Sequence, residues 1–304
     1  MRVRLVCIGL CIITLSACAA PTSRDSAATV DAVYARITEQ AQSGEPLDPV
    51  LATSEAGEVA EAEESSDEAT PEPENTPTPT PTPPDFRTSP LSLPRCTVDL
   101  TIDAQRSDWA LEAAASLNIS LEANTFGPSN WDGTQDSSGI VQLCWTDDDL
   151  FLFATVTDDR HVQTQSGLTA WQGDEIELVF DSNLRGDFFD EVWDDDDTQI
   201  GLSPGDFISR DPSGVRYQPQ GQENLPVDIV AIREFGEGGS YDLEAQVPWS
   251  VFSTNPQSGE SYGLCIAISD NDQPGEALQQ SMVSHCQGLI ITDPTTWITI
   301  TLTG

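Results

Sequence analysis

The sequence predicts an all-β fold, a single antiparallel β-sandwich or jelly roll, over residues 96–304. Two observations support this prediction. Short segments in which apolar and polar residues alternate recur between polar turns, and no long amphipathic helix interrupts them. A disordered tether rich in Pro, Thr and Glu is expected to precede the domain.

The first residues have the features of a bacterial lipoprotein signal peptide. Arg2 and Arg4 precede an apolar run that is too short for a comfortable membrane span and that ends in Leu15-Ser16-Ala17-Cys18. This ending resembles a lipobox, in which the cysteine is acylated. We therefore expect a signal peptide over 1–17, lipid attachment at Cys18 and a domain outside the cytoplasm, held at the cell envelope. The alternative is an ordinary secretory signal in which Cys18 is incidental.

Residues 18–95 have the composition of a linker and cannot build a hydrophobic core. The part over 54–69 consists mostly of Glu, Ala and Ser, and Thr alternates with Pro over 76–83. Such a Thr-Pro run favours polyproline II, a stiff and extended conformation, and the acidic part extends through charge repulsion. The linker is therefore predicted to hold the domain away from the lipid surface.

Within the domain, alternation and turn residues place the strands. The segments 139–146 and 150–157 flank an aspartate cluster, and 227–233 and 240–247 flank a glycine-rich turn, so each pair predicts a hairpin. Helical character is limited to Trp109–Ala115 and Pro248–Phe252. The remaining predicted strands cover 97–102, 174–181, 262–269 and 297–302.

The domain contains Cys96, Cys144, Cys265 and Cys286. An even number of cysteines in an exported domain predicts two disulfides, and four cysteines allow three pairings. We favour Cys96–Cys144 and Cys265–Cys286, because each pair is nearest in sequence and lies on strands that could be neighbours. A metal site made of these cysteines is disfavoured, since no C-x2-C pair occurs.

Charge and composition exclude several functions. The chain has 51 acidic against 12 basic residues and a formal charge of -39, which argues against a nucleic-acid partner. Every basic residue is arginine, so lysine-dependent chemistry is excluded. With two histidines and no recognisable catalytic motif, we expect a protein that is not an enzyme.

The order of several motifs resembles the family 9 carbohydrate-binding modules. The motifs are Thr101-Ile102-Asp103 with Asp108-Trp109, the segments 141–158 and 171–181, Ala245-Gln246-Val247-Pro248-Trp249, and 263–272. Together they cover nearly all of 97–302. The resemblance implies a β-sandwich that binds sugars, often at the ends of oligo- or polysaccharide chains, commonly holds structural calcium and is usually non-catalytic.

The resemblance also implies a sugar site. Trp171 opens the W-x-x-D-x-x-E motif and corresponds to one wall of the family's slot, where the ring stacks on the sugar. Glu177 corresponds to the glutamate that hydrogen-bonds sugar hydroxyls, and Gln199 lies on the following strand. We expect an exposed indole beside an outward-facing carboxylate. The alternatives are that Trp171 caps the core and that Glu177 is merely solvated.

Two departures from the family pattern concern the same slot. The second tryptophan of the family corresponds here to Ile290-Ile291, and the family's arginine has no counterpart near Gln199. Trp131, Trp193 or Trp297 could supply another wall, whereas Trp249 has the setting of a core residue.

The loop over 187–197 is strongly acidic. Its carboxylates would repel one another unless a cation neutralised them, so it is a candidate calcium site. The expected ligands are Asp187, Asp190, Asp194, Asp195 and Asp197. A solvated acidic loop is the alternative, and Asp270-Asn271-Asp272 is expected to be only a turn.

The function predicted from the sequence is non-catalytic carbohydrate binding by a lipid-anchored protein with structural calcium. The competing hypothesis is a structural or protein-interaction lipoprotein that keeps the fold without the sugar slot.

Overall fold

The computed structural model describes residues 87–88, 90–120, 124–233 and 238–304. The predicted signal peptide, Cys18 and nearly all of the predicted linker lie outside the described residues. Two stacked sheets make up the domain. Their strands are β1 (Leu91–Pro94), β2 (Ala115–Ile119), β3 (Asn124–Phe126), β4 (Ser137–Trp145), β5 (Asp149–Asp158), β6 (Glu175–Asp181), β7 (Asp197–Ser203), β8 (Ser213–Gln218), β9 (Asp228–Arg233), β10 (Tyr241–Pro248), β11 (Ser261–Asp270), β12 (Ser281–Ser284) and β13 (Ile298–Thr303).

The smaller sheet has the order β2-β4-β5-β10-β9, and every neighbouring pair is antiparallel. Both predicted hairpins are confirmed here. Strands β4 and β5 pair from Ser137 opposite Asp158 to Trp145 opposite Leu150, and β9 pairs with β10. The turns between alternating segments thus located the neighbours correctly.

The larger sheet has the order β1-β13-β11-β6-β7-β8. Strand β11 organises it: β6 pairs along one edge, while β13 and then β12 share the other edge. Strand β3 extends the sheet beyond β12, and β1 pairs with β13 in parallel. Because β1 begins at Leu91, the sheet includes residues that precede the predicted domain start at 96.

The main core lies between the two sheets, as alternation requires. On β6, Ile176, Leu178 and Phe180 point into this core, where they meet residues of β10 such as Leu243 and Ala245. Trp249 is also buried there, as expected. The all-β sandwich predicted from the sequence is therefore confirmed.

Two local predictions are wrong. Residues 97–102 do not form a strand, because side-chain carboxylates take the place of a ladder partner. Glu112 accepts hydrogen bonds from the N–H groups of Thr97 and Val98, and Asp108 accepts one from Thr101. The helix expected over Trp109–Ala115 is a single turn at Arg106–Trp109 instead, and Ala115 begins β2.

Other local predictions are confirmed. A 3-10 turn at Trp249–Phe252 occupies the second predicted helical segment. The disulfides are Cys96–Cys144, with a Cα–Cα distance of 5.0 Å, and Cys265–Cys286, with 5.9 Å. Within the part of the chain that the structure describes, no helix has the length and apolar character needed to span a bilayer.

Glu244 on β10 fastens the irregular segment 100–110 to the outer face of the smaller sheet. Its carboxylate accepts hydrogen bonds from the N–H groups of Asp103 and Ala104 at 2.9 and 2.8 Å and from Trp109 Nε1 at 2.6 Å. Burial is the main cause that raises the pKa of this carboxyl, and the three donors oppose it.

We expect Glu244→Ala to lower the free energy of unfolding by about 2 kcal/mol or more, because it leaves buried donors without acceptors. Denaturant titration followed by tryptophan fluorescence measures the change. Glu276→Ala, at an exposed position, is the control and should leave the midpoint in place. Equal losses in both variants would contradict the role assigned to Glu244.

Candidate functional site

The outer face of the larger sheet holds an unusual set of buried polar side chains. Strand β6 turns Glu175 and Glu177 to this face, opposite the side that packs in the main core. The predicted orientation of Glu177 is therefore correct. The two residues are only 0% and 1% exposed, so this glutamate is not a solvated surface group.

Trp171 lies beside this face, on a 3-10 turn over Gly167–Gln172. Its side chain packs with Val215 and Tyr217 of β8 and with Leu168, and the residue is 5% exposed. The expectation that its ring lies open to solvent is wrong. The turn folds against β8, whose apolar residues cover the indole.

Hydrogen bonds join Glu177 to two amides. Gln199 Nε2 on β7 donates to Glu177 Oε2 at 2.6 Å, and Gln279 Nε2 donates to Glu177 Oε1 at 3.3 Å. Gln279 Nε2 also donates to Ser269 Oγ at 2.8 Å, and this hydroxyl donates to the carbonyl oxygen of Trp171. The structure therefore brings together the three residues that the family resemblance singled out.

Glu175 adds a second carboxyl group to the cluster. Tyr217 donates its hydroxyl to Glu175 Oε1 at 2.7 Å. Burial first, and then the charge of Glu177, raise the pKa of Glu175 well above its ordinary value. Within the described residues, Glu175 Oε2 and Gln279 Oε1 are buried acceptors without a hydrogen-bond partner. Hydroxyl donors would satisfy them.

The segment over 273–280 closes the cluster from one side. Leu278 donates its backbone N–H to the carbonyl of Gln172 at 2.9 Å, and Thr164 donates its hydroxyl to the carbonyl of Glu276 at 3.1 Å. The segment, which supplies Gln279, is thus tied to the turn that carries Trp171 and to the residues just before that turn. Glu177 itself is covered, with 1% of the residue exposed.

The tryptophans considered for a second wall have other contacts. Trp193 and Trp297 form an edge-to-face pair with a centroid distance of 6.1 Å, and Trp297 is 1% exposed. Their ring N–H groups donate to the carbonyls of Ile291 and Ile290, respectively. Trp131 donates its ring N–H to the carbonyl of Ser137. Ile290, in place of the family's second tryptophan, is 52% exposed.

The acidic loop also folds into a cluster, with a membership that differs in part from the predicted one. Ligand atoms of Asp181, Asp187, Asp196 and Asp197 lie within 4.8 Å of one another. Asp187 and Asp197 were expected there, whereas Asp181 at the end of β6 was not considered. Of the other expected ligands, Asp190 and Asp194 accept hydrogen bonds from nearby backbone N–H groups of the loop and Asp195 is exposed.

One arginine partly balances this carboxylate cluster. Arg87 lies 2.9 Å from Asp181 and 4.0 Å from Asp187. Burial nonetheless raises the pKa of Asp181 to about 6 and that of Asp197 to about 8. Asp197 Oδ1 is buried and accepts no hydrogen bond from the described residues. The group therefore has the oxygen donors and the excess of negative charge that suit a hard dication.

A second acidic cluster lies at the opposite end of β6, where Asp270-Asn271-Asp272 was expected to be a simple turn. That expectation is wrong, because Asp270 and Asn271 are 2% and 0% exposed. Ligand atoms of Asp270 and Asp272 lie within 4.8 Å of Asp158. Asp158 in turn belongs to a group with His161 and Asp174.

Sequence reasoning missed some residues of both sites, and only some of them leave a signal. Glu175 has the same alternation as Glu177, and that pattern correctly places it on the outer face, but no role in the site was predicted for it. Tyr217 lies on β8, for which no strand was predicted. Ser269 lies on β11, which pairs with β6, and Gln279 lies in the loop that follows β11. No local motif marks either residue.

Comparisons with known proteins agree with this architecture. The sequence model of the family described as "Carbohydrate family 9 binding domain-like" matches residues 102–304. A carbohydrate binding module family 9 from Caldicellulosiruptor kristjanssonii, solved in complex with cellotriose, is similar in structure with a TM-score of 0.51 and 17% identity, over 71% of this chain and 94% of the other.

A structure of a family 9 module from the same organism in complex with glucose gives a TM-score of 0.46 and 17% identity, over 70% of this chain and 96% of the other. A search of curated proteins finds no significant match. At these identities the solved structures support the fold alone.

The buried carboxyls predict how stability depends on pH when no metal is present. Burial is the main cause that raises the pKa of Asp158 and of Asp197 to about 8 and that of Asp270 to about 9, from an ordinary value of 3.8. The folded state then holds protons that the unfolded state has lost. This stabilisation is complete below the ordinary pKa and is lost as pH rises through the folded-state values.

In a chelating buffer, we therefore expect the melting temperature to fall between pH 7 and pH 9, measured by circular dichroism. Both histidines have lowered pKa values and stay neutral over this range. Asp158→Asn should reduce the fall, whereas Asp148→Asn, in an exposed turn, should not. A melting temperature that is equal at the two pH values would contradict the assignment.

Proposed function

The chain belongs to the carbohydrate family 9 binding domain-like family, and we propose that it binds the ends of oligo- or polysaccharides without catalysis at the outer face of the larger sheet. The observation that carries the proposal is the buried cluster in which Gln199 and Gln279 both donate to Glu177. A family 9 module from Caldicellulosiruptor kristjanssonii is bound to cellotriose in its solved structure. Neutral sugars are thus the first ligands to test.

Each residue of the cluster has a role in this proposal. Glu177 accepts a hydrogen bond from a sugar hydroxyl, Gln199 holds the carboxylate in place and can also bond the sugar, and the indole of Trp171 supplies a face for stacking. Gln279 Oε1, an acceptor without a partner among the described residues, favours a ligand rich in hydroxyl donors over an anionic one.

Burial adds a requirement for movement. A sugar reaches Glu177 only if the 273–280 segment moves, and it reaches the Trp171 ring only if the Gly167–Gln172 turn also separates from Val215 and Tyr217 of β8. Two of the hydrogen bonds that hold the segment in place run from the backbone N–H of Leu278 to the carbonyl of Gln172 at 2.9 Å and from Thr164, which precedes the turn, to the carbonyl of Glu276 at 3.1 Å. Their rupture is a local opening, which costs much less free energy than global unfolding.

Glu177→Gln tests the site. We expect it to weaken the binding of cellotriose at least tenfold in isothermal titration calorimetry, because a charged acceptor becomes a neutral amide. Glu112→Gln is the matched control, since Glu112 is also a buried glutamate but lies at the start of the domain. Circular dichroism verifies that both variants fold. Equal affinity of the Glu177 variant and the native chain would refute the site.

A second candidate function is a structural or protein-interaction role in which the fold persists without a working sugar slot. The observation in its favour is that Trp171 is buried while an isoleucine occupies the place of the second wall. A broad glycan array separates the candidates: a chain that binds no glycan, while its melting temperature shows it to be folded, supports this second function.

We also propose that calcium binds the cluster of Asp181, Asp187, Asp196 and Asp197. The four carboxylates converge, and Arg87 supplies the one arginine charge that pairs with them in the described residues. Calcium accepts six to eight oxygen ligands and suits such a loop. After a chelator has removed bound metal, added calcium is expected to raise the melting temperature of the chain. The substitution Asp197→Asn is expected to diminish that rise.

The lipid anchor is part of the proposed function, because it sets where the domain meets its ligand. The sequence Leu15-Ser16-Ala17-Cys18 supports acylation of Cys18, and the Pro-rich and acidic stretches support an extended tether to the cell envelope.

Replacing Cys18 tests the anchor. In a bacterium that processes lipoproteins, the native chain should incorporate labelled fatty acid and sediment with membranes, whereas Cys18→Ser should do neither. Cys11→Ser, within the apolar run, is the control and should behave as the native chain. Labelling of the Cys18 variant would contradict attachment at this residue.

A further inference from the structure

The connection between the two sheets contains a compact group of possible metal ligands. Asp158 is the last residue of β5, Asp174 directly precedes β6, and His161 lies in the crossover between them. One ligand atom from each of the three lies within 4.8 Å of the others. The side chains of His161 and Asp174 are each 3% exposed and that of Asp158 is 4% exposed.

The hydrogen bond made by His161 fixes which ring nitrogen carries a proton. Nε2 lies 2.7 Å from the carbonyl oxygen of Gly205, and a carbonyl only accepts, so Nε2 is the donor. In the neutral ring Nδ1 then has a lone pair. That atom lies 3.0 Å from Asp174 Oδ2 and 3.8 Å from Asp158 Oδ2, and it forms no hydrogen bond with any residue that the structure describes.

A buried lone pair that faces two carboxylates is unfavourable unless a metal ion or a shared proton lies between them. Neither carboxylate forms an ion pair with an arginine in the described part of the chain, where His161 is the partner of both. Backbone N–H groups hold the Asp174 carboxylate in place, with Asn271 at 2.6 Å and Val162 as donors. These contacts leave the side facing His161 to another group.

The distances suit ligands of a single ion. Two donors that each lie about 2.1 Å from a tetrahedral zinc ion are about 3.4 Å from each other, and the distances from His161 Nδ1 to the two carboxylates, 3.0 and 3.8 Å, lie on either side of that value. The bond from Nε2–H to a backbone carbonyl is also the arrangement that orients metal-bound histidines in proteins, because it directs the other nitrogen at the ion.

We propose that Asp158, His161 and Asp174 bind one divalent transition-metal ion with a preference for mixed nitrogen and oxygen ligands, such as Zn²⁺. This site is separate from the all-oxygen cluster at the acidic loop, where calcium is proposed. Calcium favours oxygen ligands, whereas imidazole favours transition metals. Asp158 also groups with Asp270 and Asp272, so further carboxylate oxygens lie beside the ion.

A metal ion here fastens the two sheets together at the crossover. Asp158 is the last residue of β5 in the smaller sheet, and Asp174 directly precedes β6 in the larger sheet. Asp174 lies between the turn that carries Trp171 and the strand that carries Glu175 and Glu177. The ion therefore fixes the start of β6, on which the buried polar cluster depends.

The two histidines of the chain make a direct experiment possible. In the full chain labelled with ¹⁵N-histidine, nuclear magnetic resonance gives separate ring signals for His161 and His285. His285 is the internal control, because its Nδ1 already lies at hydrogen-bond distance from the backbone N–H and carbonyl of Ile266, at 3.1 and 3.2 Å. Zn²⁺ is added to the metal-free chain at neutral pH, and calcium is added in a parallel titration.

We expect one equivalent of Zn²⁺ to shift the Nδ1 signal of His161, to leave that of His285 in place and to raise the melting temperature. His161→Asn should weaken Zn²⁺ binding at least tenfold. Because the signal reports on His161 itself, zinc bound by thiols elsewhere in the chain does not mimic the result.

Two outcomes overturn the proposal. If Zn²⁺ leaves both Nδ1 signals unchanged, the group is an ion pair or shares a proton and holds no metal. If calcium displaces Zn²⁺ from His161 at equal concentration, the site has no preference for a nitrogen ligand. The spectrum of the native chain decides both, so the proposal stays testable even where the His161 variant fails to fold. Failure of cellotriose binding affects neither outcome.

Discussion

The burial of many carboxylates in a chain with few cations is the physical constraint on which this structure depends. The only basic side chains in the sequence besides two histidines are arginines. Arg87 is buried against Asp181. Arg95, Arg106 and Arg210 also form ion pairs, but their own side chains are 38–55% exposed. Most of the interior acids must therefore be stabilised by hydrogen bonds, or neutralised by retained protons or bound dications.

Strand β6 shows how this constraint and the fold coexist. Its inner face contributes Ile176, Leu178 and Phe180 to the main core, so hydrophobic burial fixes the register of the strand. Once that register is fixed, the alternation of side chains along the strand places Glu175 and Glu177 on the outer face. The apolar face thus stabilises an arrangement of acids that would be unfavourable by itself, and Asp174 and Asp181 mark the two ends of the same strand.

The fold could be predicted from sequence because alternation and turns are local signals. The β4–β5 and β9–β10 hairpins follow from such signals, and the disulfide pairing followed from sequence proximity. The segment 97–102 shows the limit. It alternates like a strand, but the carboxylates of Glu112 and Asp108 accept hydrogen bonds from three of its N–H groups, and no periodicity reveals side chains that replace a ladder.

The site was predictable only where one motif contained its residues. Trp171, Glu177 and Gln199 were found through resemblance, and the alternation of β6 gave the correct face for Glu177. The burial of Trp171 could not be predicted, because it depends on β8, which is distant in sequence. Likewise, Asp158, His161 and Asp174 come together through the crossover between sheets, and their spacing matches no compact ligand motif.

The hydrogen bonds of Glu177 indicate how a buried site can still accept a ligand. The bond from Gln199 is short, at 2.6 Å, and joins neighbouring strands whose positions the sheet fixes. The bond from Gln279 is long, at 3.3 Å, and comes from a segment outside the strands. In the proposed function, a sugar hydroxyl that replaced Gln279 on Oε1 would break the weaker contact and leave the sheet intact. Selectivity would then lie in the exchange of donors on one carboxylate, while Gln199 stays hydrogen-bonded to it throughout.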